Sequence, residues 1–387
     1  MKFKMPAYEY INLDSGWCDG PDEYGRWKYN KDLFPNGLRT LSDHLKHNGH
    51  KLGIYILPGI RQDAIDCKIK GKDKRLGDLV TQKQEGCGFS GTTYLPDEHD
   101  EDVQAYYDSM GDLFAEWGIH YVKIDGVGPG GGSEYYPYTS PDNRECIAMM
   151  KKAFEKHGIW MEISWYMDPS YADEWAKLAN GARIYVDIES YSTRTMTTSH
   201  RVFQRITQCE RWANTDVVGN GFYVDLDAVL VGMTVDDICV DGLDNDDVRQ
   251  TYIAFWAMVS SVFCIGADPR TLPEKYLEML NHKEMLEIHQ SGVMAKPVGV
   301  GDVWKNRKQV WWKKLGDGRI YVCLINAQTY PFMLGFRHEI GFDLKEIGVE
   351  KARLKDVWTG EDLGEVEGRY GLVLRGGQSQ TLLVTPC

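Results

Sequence analysis

The chain has 387 residues, of which 43% are hydrophobic and 12% aromatic, and its formal net charge is −13. This length suits a barrel-sized domain followed by a smaller one. The negative charge argues against nucleic acid or an anionic membrane as a partner, because neutralising phosphate groups requires clustered Lys and Arg. No stretch approaches the ~20 apolar residues of a membrane span. The first residues also lack the apolar core of a signal peptide.

The nine cysteines are scattered along the chain and form no CxxC pair, so a zinc site is not expected. Scattered cysteines are typical of reduced thiols in a cytoplasm-like compartment. We therefore expect a cytoplasmic location, while a loop disulfide between Cys67 and Cys87 stays open.

Through the first three quarters of the chain, β-rich segments alternate with segments of helical periodicity. The predicted strands are 8–14, 51–57, 119–125, 159–165 and 183–188, with a strand–loop region at 215–230. The predicted helices are 36–47, 101–117, 141–157, 171–180, 199–213, 247–263 and 273–290. The polar stretch 61–100 is too long for a routine connection and is predicted to be a functional loop.

Repeated strand–helix alternation implies a parallel sheet. Carboxylate and aromatic residues that could serve a site lie at or near the carboxyl ends of several strands: Asp14, Asp125, Trp165 and Asp187. In a (β/α)₈ barrel those strand ends line the active site. A doubly wound sheet would alternate in the same way, but no glycine-rich phosphate turn opens the first helix.

The pattern changes near residue 295, where short β-rich segments separated by turn signals begin. These segments are 309–314, 318–325, 351–358, 370–374 and 379–386. They indicate an antiparallel β-sandwich. We therefore predict a catalytic (β/α) barrel over residues 1–293 and a C-terminal β-sandwich over residues 294–387.

Glycoside hydrolysis requires two carboxyl groups that flank one anomeric carbon. The first candidate is Asp125, at the end of a predicted strand. Period-two alternation places Lys123 on the same strand face. A nearby ammonium group keeps a carboxylate ionised and nucleophilic, although an ordinary lysine–aspartate pair would look the same in the sequence.

The second candidate is Asp187, which the predicted strand 183–188 places on one face with Arg183 and Tyr185. An arginine can bind sugar hydroxyls or orient a carboxylate through its fixed fork of donors. The proton donor of such a pair needs a pKa above that of its partner, which two aspartates in unlike environments would provide. A surface ion pair is the alternative interpretation.

Further motifs carry a family resemblance. They are YEYINLDSGW at 8–17, GR at 25–26, FPNG at 34–37, KLGIY at 51–55, KID at 123–125, the pair Arg183 and Asp187, GFYVDLD at 221–227 and DVWTG at 356–360. Over nearly its whole length the sequence resembles glycoside hydrolase family 27, the α-galactosidase and α-N-acetylgalactosaminidase family of clan D.

The resemblance implies a (β/α)₈ TIM-type barrel and retaining cleavage of terminal α-galactoside-type bonds. Asp125 would be the nucleophile that forms a glycosyl-enzyme, Asp187 the acid/base, and no metal or organic cofactor would take part. The implied substrate contacts are Asp14, Ser15, Lys123, Trp165, Arg183 and Asp225. The expected partner is an oligosaccharide or glycoside, and assembly into a homo-oligomer stays open.

Three departures from the family pattern keep alternatives open. Ser15 replaces the second of two adjacent aspartates, so a sugar with an altered or missing 6-hydroxymethyl group becomes an alternative to galactose. In the family, the strand end that corresponds to Ser164 and Trp165 lies near the substituent on carbon 2 of the sugar. The different residues at this position leave open whether that substituent is a hydroxyl or an N-acetyl group. The chain begins at what resembles the family's second strand, so we expect the first strand–helix unit to be missing from this sequence.

The alternatives are an α-N-acetylgalactosaminidase, a β-L-arabinopyranosidase, an isomalto-type glucosidase and a non-catalytic carbohydrate-binding homologue. Two smaller features also have two interpretations each. Asp225 and Asp227 either shape the pocket or support its loop. The tyrosines at 135, 136 and 138 form either an aromatic sugar wall or an exposed turn.

Overall fold

The computed structural model describes residues 5–82, 93–129, 140–219, 221–329 and 335–387. These fall into two compact units, residues 8–184 and residues 185–387, and the second includes the short stretch 5–7. None of the described helices combines the length and the apolar character that crossing a bilayer requires.

Strands and helices alternate in the first unit, as predicted. In chain order the elements are β1 (Tyr10–Leu13), β2 (Cys18–Pro21), β3 (Trp27–Tyr29), α1 (Gly37–His47), β4 (Lys51–Ile56), β5 (Ile60–Arg61), β6 (Val80–Gln82), β7 (Thr93–Pro96), α2 (Glu101–Glu116), β8 (Ile119–Ile124), α3 (Arg144–Glu155), β9 (Trp160–Ile163), α4 (Ala172–Leu178) and β10 (Gly181–Arg183). The predicted functional loop 61–100 contains the short antiparallel sheet β5-β7-β6, and its residues 83–92 lie outside the described part.

Parallel strands form the main sheet of this unit, in the order β1-β4-β8-β9-β10. Each strand of this order is connected to the next by one helix, α1, α2, α3 or α4 in turn. Parallel neighbouring strands require such a crossover connection. The register sets Tyr55 opposite Lys123, and Lys123 opposite Glu162. Because side chains alternate between faces, these three polar residues share one face.

The opposite face is apolar, and α1, α2 and α3 contact the sheet. Its fully buried side chains are Leu52, Ile54, Ile56, Val122, Ile124, Met161 and Ile163. Burial of each contributes about 1.5–3 kcal/mol relative to exposure. This face is therefore the core of the unit, and it leaves the polar face available for chemistry.

Aromatic rings pack on the polar face because two strand positions carry glycine. Tyr121 and Trp160 stack with ring centroids 5.4 Å apart. A Cβ atom at Gly53 would lie 2.6 Å from Tyr121, and one at Gly181 would lie 2.4 Å from Trp160. Glycine at both positions makes room for the rings.

The predicted strand 183–188 is wrong in position. Strand β10 covers Gly181–Arg183, and its Ala182 pairs with Ile163, the last residue of β9. The hydrogen-bonded pairing of β10 ends where its partner strand β9 ends. Beyond it, the carbonyl of Arg183 accepts the N–H of Met167 at 3.0 Å. Tyr185 and Asp187 lie beyond the strand, so they do not share a strand face with Arg183.

The second unit contains helices followed by antiparallel strands. Its elements are α5 (Ser199–Ala213), β11 (Tyr223–Asp225), β12 (Thr234–Val235), β13 (Ile238–Cys239), α6 (Asp246–Met258), α7 (Glu274–Leu280), α8 (Lys283–Gln290), β14 (Lys296–Pro297), β15 (Lys308–Lys314), β16 (Ile320–Asn326), β17 (Arg337–Asp343), β18 (Lys351–Asp356), β19 (Asp362–Glu367), β20 (Arg369–Arg375) and β21 (Ser379–Pro386).

Side-chain caps mark the start of two helices in this unit. Thr198 and Asn245 accept the N–H groups of Arg201 and Val248, which caps α5 and α6. The predicted helix 273–290 is two helices, because His282 interrupts it and its ring nitrogen accepts the N–H of Met285.

Two antiparallel sheets form the C-terminal part, in the orders β14-β15-β16-β21-β18-β19 and β17-β20. Their shared core contains Val310, Ile320, Val322, Leu324, Ile340, Phe342, Leu354, Leu374, Leu382 and Val384. The sequence analysis missed β14, β17 and β19. Strand β19 has the sequence DLGEVE, in which charged residues outnumber the two apolar ones, Leu363 and Val366. Both apolar residues are only partly buried, so the strand gives a weak hydrophobic pattern. The boundary between residues 293 and 294 stays a prediction.

The cysteines in the described part of the chain are free thiols. Cys67 is one of them, and Cys87, its possible partner, lies outside the described residues.

Candidate active site

An ion pair stands at the carboxyl ends of β1 and β8 in the first unit. Lys123 Nζ lies 3.0 Å from Asp14 Oδ2, and their side chains are 15% and 55% exposed. The other oxygen of Asp14 accepts the N–H of Ser15 at 2.8 Å. An exposed pair of this kind adds little stability. It places a carboxylate and an ammonium group side by side, where both can bind sugar hydroxyls.

Asp125 follows β8 directly, and its N–H continues the sheet by donating to the carbonyl of Ile56 at 3.0 Å. Its carboxylate accepts two hydrogen bonds at 3.1 Å, one from the Tyr55 hydroxyl and one from the N–H of Gly126. Two donors and partial burial hold the carboxylate in place. A carboxylate fixed in this way is suited to act as a nucleophile.

Tyr55 is a site residue that the sequence analysis missed. Burial raises the pKa of Tyr55 well above its usual value, and the Asp125 carboxylate raises it further. The phenol therefore stays protonated and donates to Asp125. The available signal was its position in the KLGIY motif, but only the ladder register brings it next to Lys123.

The ends of β8 and β9 are joined by Ser164, whose N–H donates to Ile124 and whose carbonyl accepts the N–H of Val127, both at 2.8 Å. The next residue, Trp165, is buried and makes an edge contact with Tyr166 at 6.4 Å between ring centroids.

Arg183 is also buried, at the end of β10. Its positive charge lowers the pKa of Tyr55, opposing the larger effects of burial and of Asp125. The first unit therefore brings Asp14, Tyr55, Lys123, Asp125 and Arg183 into one electrostatic cluster.

In the second unit, Asp187 is half-buried and its carboxylate accepts the hydroxyl hydrogen of Tyr191. The carbonyl of Asp187 accepts a hydrogen bond from Arg201 Nη1 at 3.0 Å. The main chain at Asp187 is thus anchored, while its carboxylate contacts a largely exposed tyrosine.

Asp225, the last residue of β11, is buried. Its Oδ1 accepts the N–H of Asp227 at 2.7 Å, and Asp227 Oδ2 accepts the N–H of Ile188 at 2.8 Å. Asp225 therefore belongs to the polar network that reaches the neighbour of Asp187. A direct substrate contact for Asp225 stays a prediction.

Asp125 and Asp187 belong to different units, so their convergence on one anomeric carbon stays a prediction. Across the described ranges, no group of three or more His, Cys, Asp or Glu side chains could hold a metal ion. The tyrosines at 135, 136 and 138 lie outside the described residues.

Comparison with protein families gives two matches. A family model described as alpha galactosidase A matches residues 2–65 and 90–291. A second model, described as the alpha galactosidase C-terminal beta sandwich domain, matches residues 305–383. The first match alone covers more than half of the chain.

Individual relatives agree with these models. Alpha-galactosidase 3 of Hypocrea jecorina is 26% identical over 406 residues, and the chain spans 62% of its length. Alpha-galactosidase A of Cellvibrio japonicus is 25% identical over 379 residues, which cover 92% of this chain and 78% of that protein. The solved structure of a GH27 β-L-arabinopyranosidase from Geobacillus stearothermophilus has a TM-score of 0.83 at 25% identity. The match covers 99% of this chain and 90% of the arabinopyranosidase chain.

These matches confirm the predicted fold class, a TIM-type barrel followed by an antiparallel β-sandwich. The chain belongs to glycoside hydrolase family 27, the α-galactosidase family.

Proposed function

We propose that the protein is a retaining glycoside hydrolase that cleaves terminal α-galactoside-type bonds. The observation that carries this proposal is the Asp125 carboxylate, which is held by the Tyr55 hydroxyl and the Gly126 N–H beside the Asp14–Lys123 pair. The α-galactosidase relatives support the substrate class.

In the first step, Asp125 attacks the anomeric carbon and forms a carbon–oxygen bond while the glycosidic bond breaks. Asp187 gives its proton to the departing oxygen, which leaves as an alcohol. In the second step, the Asp187 carboxylate takes a proton from water. The water oxygen attacks the same carbon, Asp125 is released, and the configuration is retained.

The other site residues would bind the sugar. Asp14, Lys123 and Arg183 offer charged partners for hydroxyl groups, and the indole of Trp165 offers an apolar surface. Ser15 and Asp225 would complete the contacts. This assignment requires no metal or organic cofactor.

Asp125→Asn tests the nucleophile. The amide cannot attack, so turnover of aryl α-galactosides is expected to vanish while the fold survives. Asp19→Asn, at an exposed aspartate of the same unit, is the matched control and should keep full activity. Full activity of Asp125→Asn would rule out the assigned nucleophile.

A second candidate activity is β-L-arabinopyranoside hydrolysis. Ser15 favours it, because a neutral serine replaces a carboxylate of the family pattern, and this sugar has no 6-hydroxymethyl group. The Geobacillus structure belongs to an enzyme with that activity. A panel of aryl α-galactoside, α-N-acetylgalactosaminide, β-L-arabinopyranoside and α-glucoside substrates decides between the specificities. Binding without release of the aryl group on all four would favour a non-catalytic carbohydrate-binding protein.

A cytoplasmic location and the possible homo-oligomer also stay proposals. Fractionation of the expressing cells and sedimentation of the purified chain test them.

A further inference from the structure

The short segment that carries Asp187 is held through its backbone by two arginines of α5. Arg205 Nη2 donates to the carbonyl of Val186 at 2.6 Å. Arg201 Nη1 donates to the carbonyls of Asp187 at 3.0 Å and Glu189 at 2.9 Å. Because the segment has no strand ladder of its own, these side chains replace the hydrogen bonds that a sheet would supply.

A third charged side chain, Asp227, binds the same segment from the other direction. Its Oδ2 accepts the N–H of Ile188 at 2.8 Å, and its Oδ1 accepts the N–H of Ala228 at 2.7 Å. Its own N–H donates to Asp225, and its carbonyl accepts the indole N–H of Trp256 at 2.9 Å. Asp227 is therefore fixed at its side chain and at both of its backbone groups.

The backbone of Asp227 supports a special role. Its φ is +79°, a conformation that aspartate and asparagine tolerate better than most residues. This conformation makes the turn that follows β11 and turns both carboxylate oxygens towards backbone N–H groups.

The peptide bond between Asp187 and Ile188 is held at both of its polar ends. Arg201 binds its carbonyl and Asp227 binds its N–H. A peptide unit is planar, so two anchors restrict its rotation and thereby the direction in which the Asp187 side chain leaves the backbone.

We propose that Asp227 is a positioning residue that aims the carboxyl group of Asp187 at the departing oxygen. The inference rests on the proposed function, in which Asp187 is the acid/base. Asp227 itself need not touch the substrate.

The test uses the full chain and three variants, Asp227→Asn, Asp187→Asn and the double variant. Asparagine tolerates the positive φ but has only one carboxyl-type oxygen, so one of the two N–H groups loses its acceptor. Asp236→Asn is the matched control, because Asp236 is another aspartate at positive φ, +49°, in the same unit, and it is exposed in a turn.

Each protein is assayed on two α-galactosides, one with an activated aryl leaving group and one with a poor leaving group. A misplaced acid affects only the substrate that needs the proton. We expect Asp227→Asn to lose about 10- to 100-fold in kcat/KM on the poor leaving group and less than about 3-fold on the activated one. The double variant should be no slower than Asp187→Asn on the poor leaving group.

Two results would overturn the inference. One is an equal loss on both substrates in Asp227→Asn, while Asp187→Asn shows the expected leaving-group dependence. The other is a double variant whose losses multiply. If Asp187→Asn showed no leaving-group dependence, the assignment of Asp187 as the acid/base would be wrong instead.

Hydrogen exchange of the peptide spanning residues 186–190 tests the anchor independently of turnover. Asp227→Gly tolerates the positive φ and removes both carboxylate oxygens, so its Ile188 amide should exchange faster than that of the wild type, whereas Asp236→Gly should leave the Ile188 amide unchanged. Unchanged protection in Asp227→Gly would refute the positioning role even if the wild-type protein hydrolysed none of the substrates.

Discussion

Lys313 is a lysine buried in the second unit, and its replacement by methionine is expected to destabilise that unit. Its Nζ lies 3.0 Å from the carbonyl of Ala257, 2.7 Å from that of Ile288, 2.9 Å from that of Val293 and 3.2 Å from Ser260 Oγ. Ala257 and Ile288 lie in the last turns of α6 and α8. One ammonium group thus joins the C-termini of two helices to strand β15. Positive charge is favourable at a helix C-terminus.

The size of the destabilisation depends on which other hydrogen bonds each carbonyl oxygen keeps when the Lys313 ammonium group is removed. The Ile288 carbonyl also accepts from Ser291 Oγ, and the Val293 carbonyl from Ser260 Oγ, so neither is left without a donor. The cost of each lost carbonyl bond is then near the low end, about 1 kcal/mol. Three such bonds amount to about 3 kcal/mol. Burial lowers the pKa of Lys313 well below its usual value, and removing this desolvation cost offsets part of the loss.

Scanning calorimetry checks this value, because it separates transitions of different units. A loss of about 3 kcal/mol corresponds to a Tm decrease of roughly 6–12 °C for a unit of this size. Lys314→Met is the control, since Lys314 is exposed on the other face of the same strand, and we expect a change within about 0.5 kcal/mol. Equal Tm values for the two variants would refute the capping role of Lys313.

Three further predictions concern the site, the sheet and pH. Tyr55→Phe removes a hydrogen bond to the Asp125 carboxylate, so kcat/KM should fall about 10-fold; steady-state kinetics with less than a twofold change would contradict this. Gly181→Ala places a Cβ 2.4 Å from Trp160 and should cost about 1–3 kcal/mol, measured by urea unfolding. Burial lowers the pKa of His289, so the unfolded chain binds the additional proton and the free energy of unfolding should fall as the pH drops below about 6.5. Urea unfolding at pH 7.5 and 6 should show a smaller decrease for His289→Gln.

Much of the architecture could be predicted from local patterns. The helix 199–213 matches α5, and most of the predicted strands of the sandwich match to within a few residues. The carboxyl ends of strands placed Asp14 and Asp125 near each other, and in the structure both carboxylates act on the pKa of Tyr55. The strand pattern did not predict that the ammonium group of Lys123 binds Asp14 across the sheet.

Other features depended on contacts between distant parts of the chain. Asp187 follows a segment that looks like a strand in sequence, but β10 ends at Arg183 because its partner β9 ends at Ile163. Arginine side chains of α5 then hold the backbone that the sheet no longer holds. A period-two pattern contains no information on where a neighbouring strand stops.

By itself, the sequence determined which residue types recur with which period, and therefore the alternation of strands and helices, the later change to β-rich segments and the family motifs. Tertiary structure decided the partners: Tyr55 for Asp125, Asp14 for Lys123, and Asp227 for the backbone beside Asp187. The physical reason is that periodicity is a property of neighbouring residues, whereas a hydrogen bond between residues 39 positions apart requires the register and turns of the folded chain.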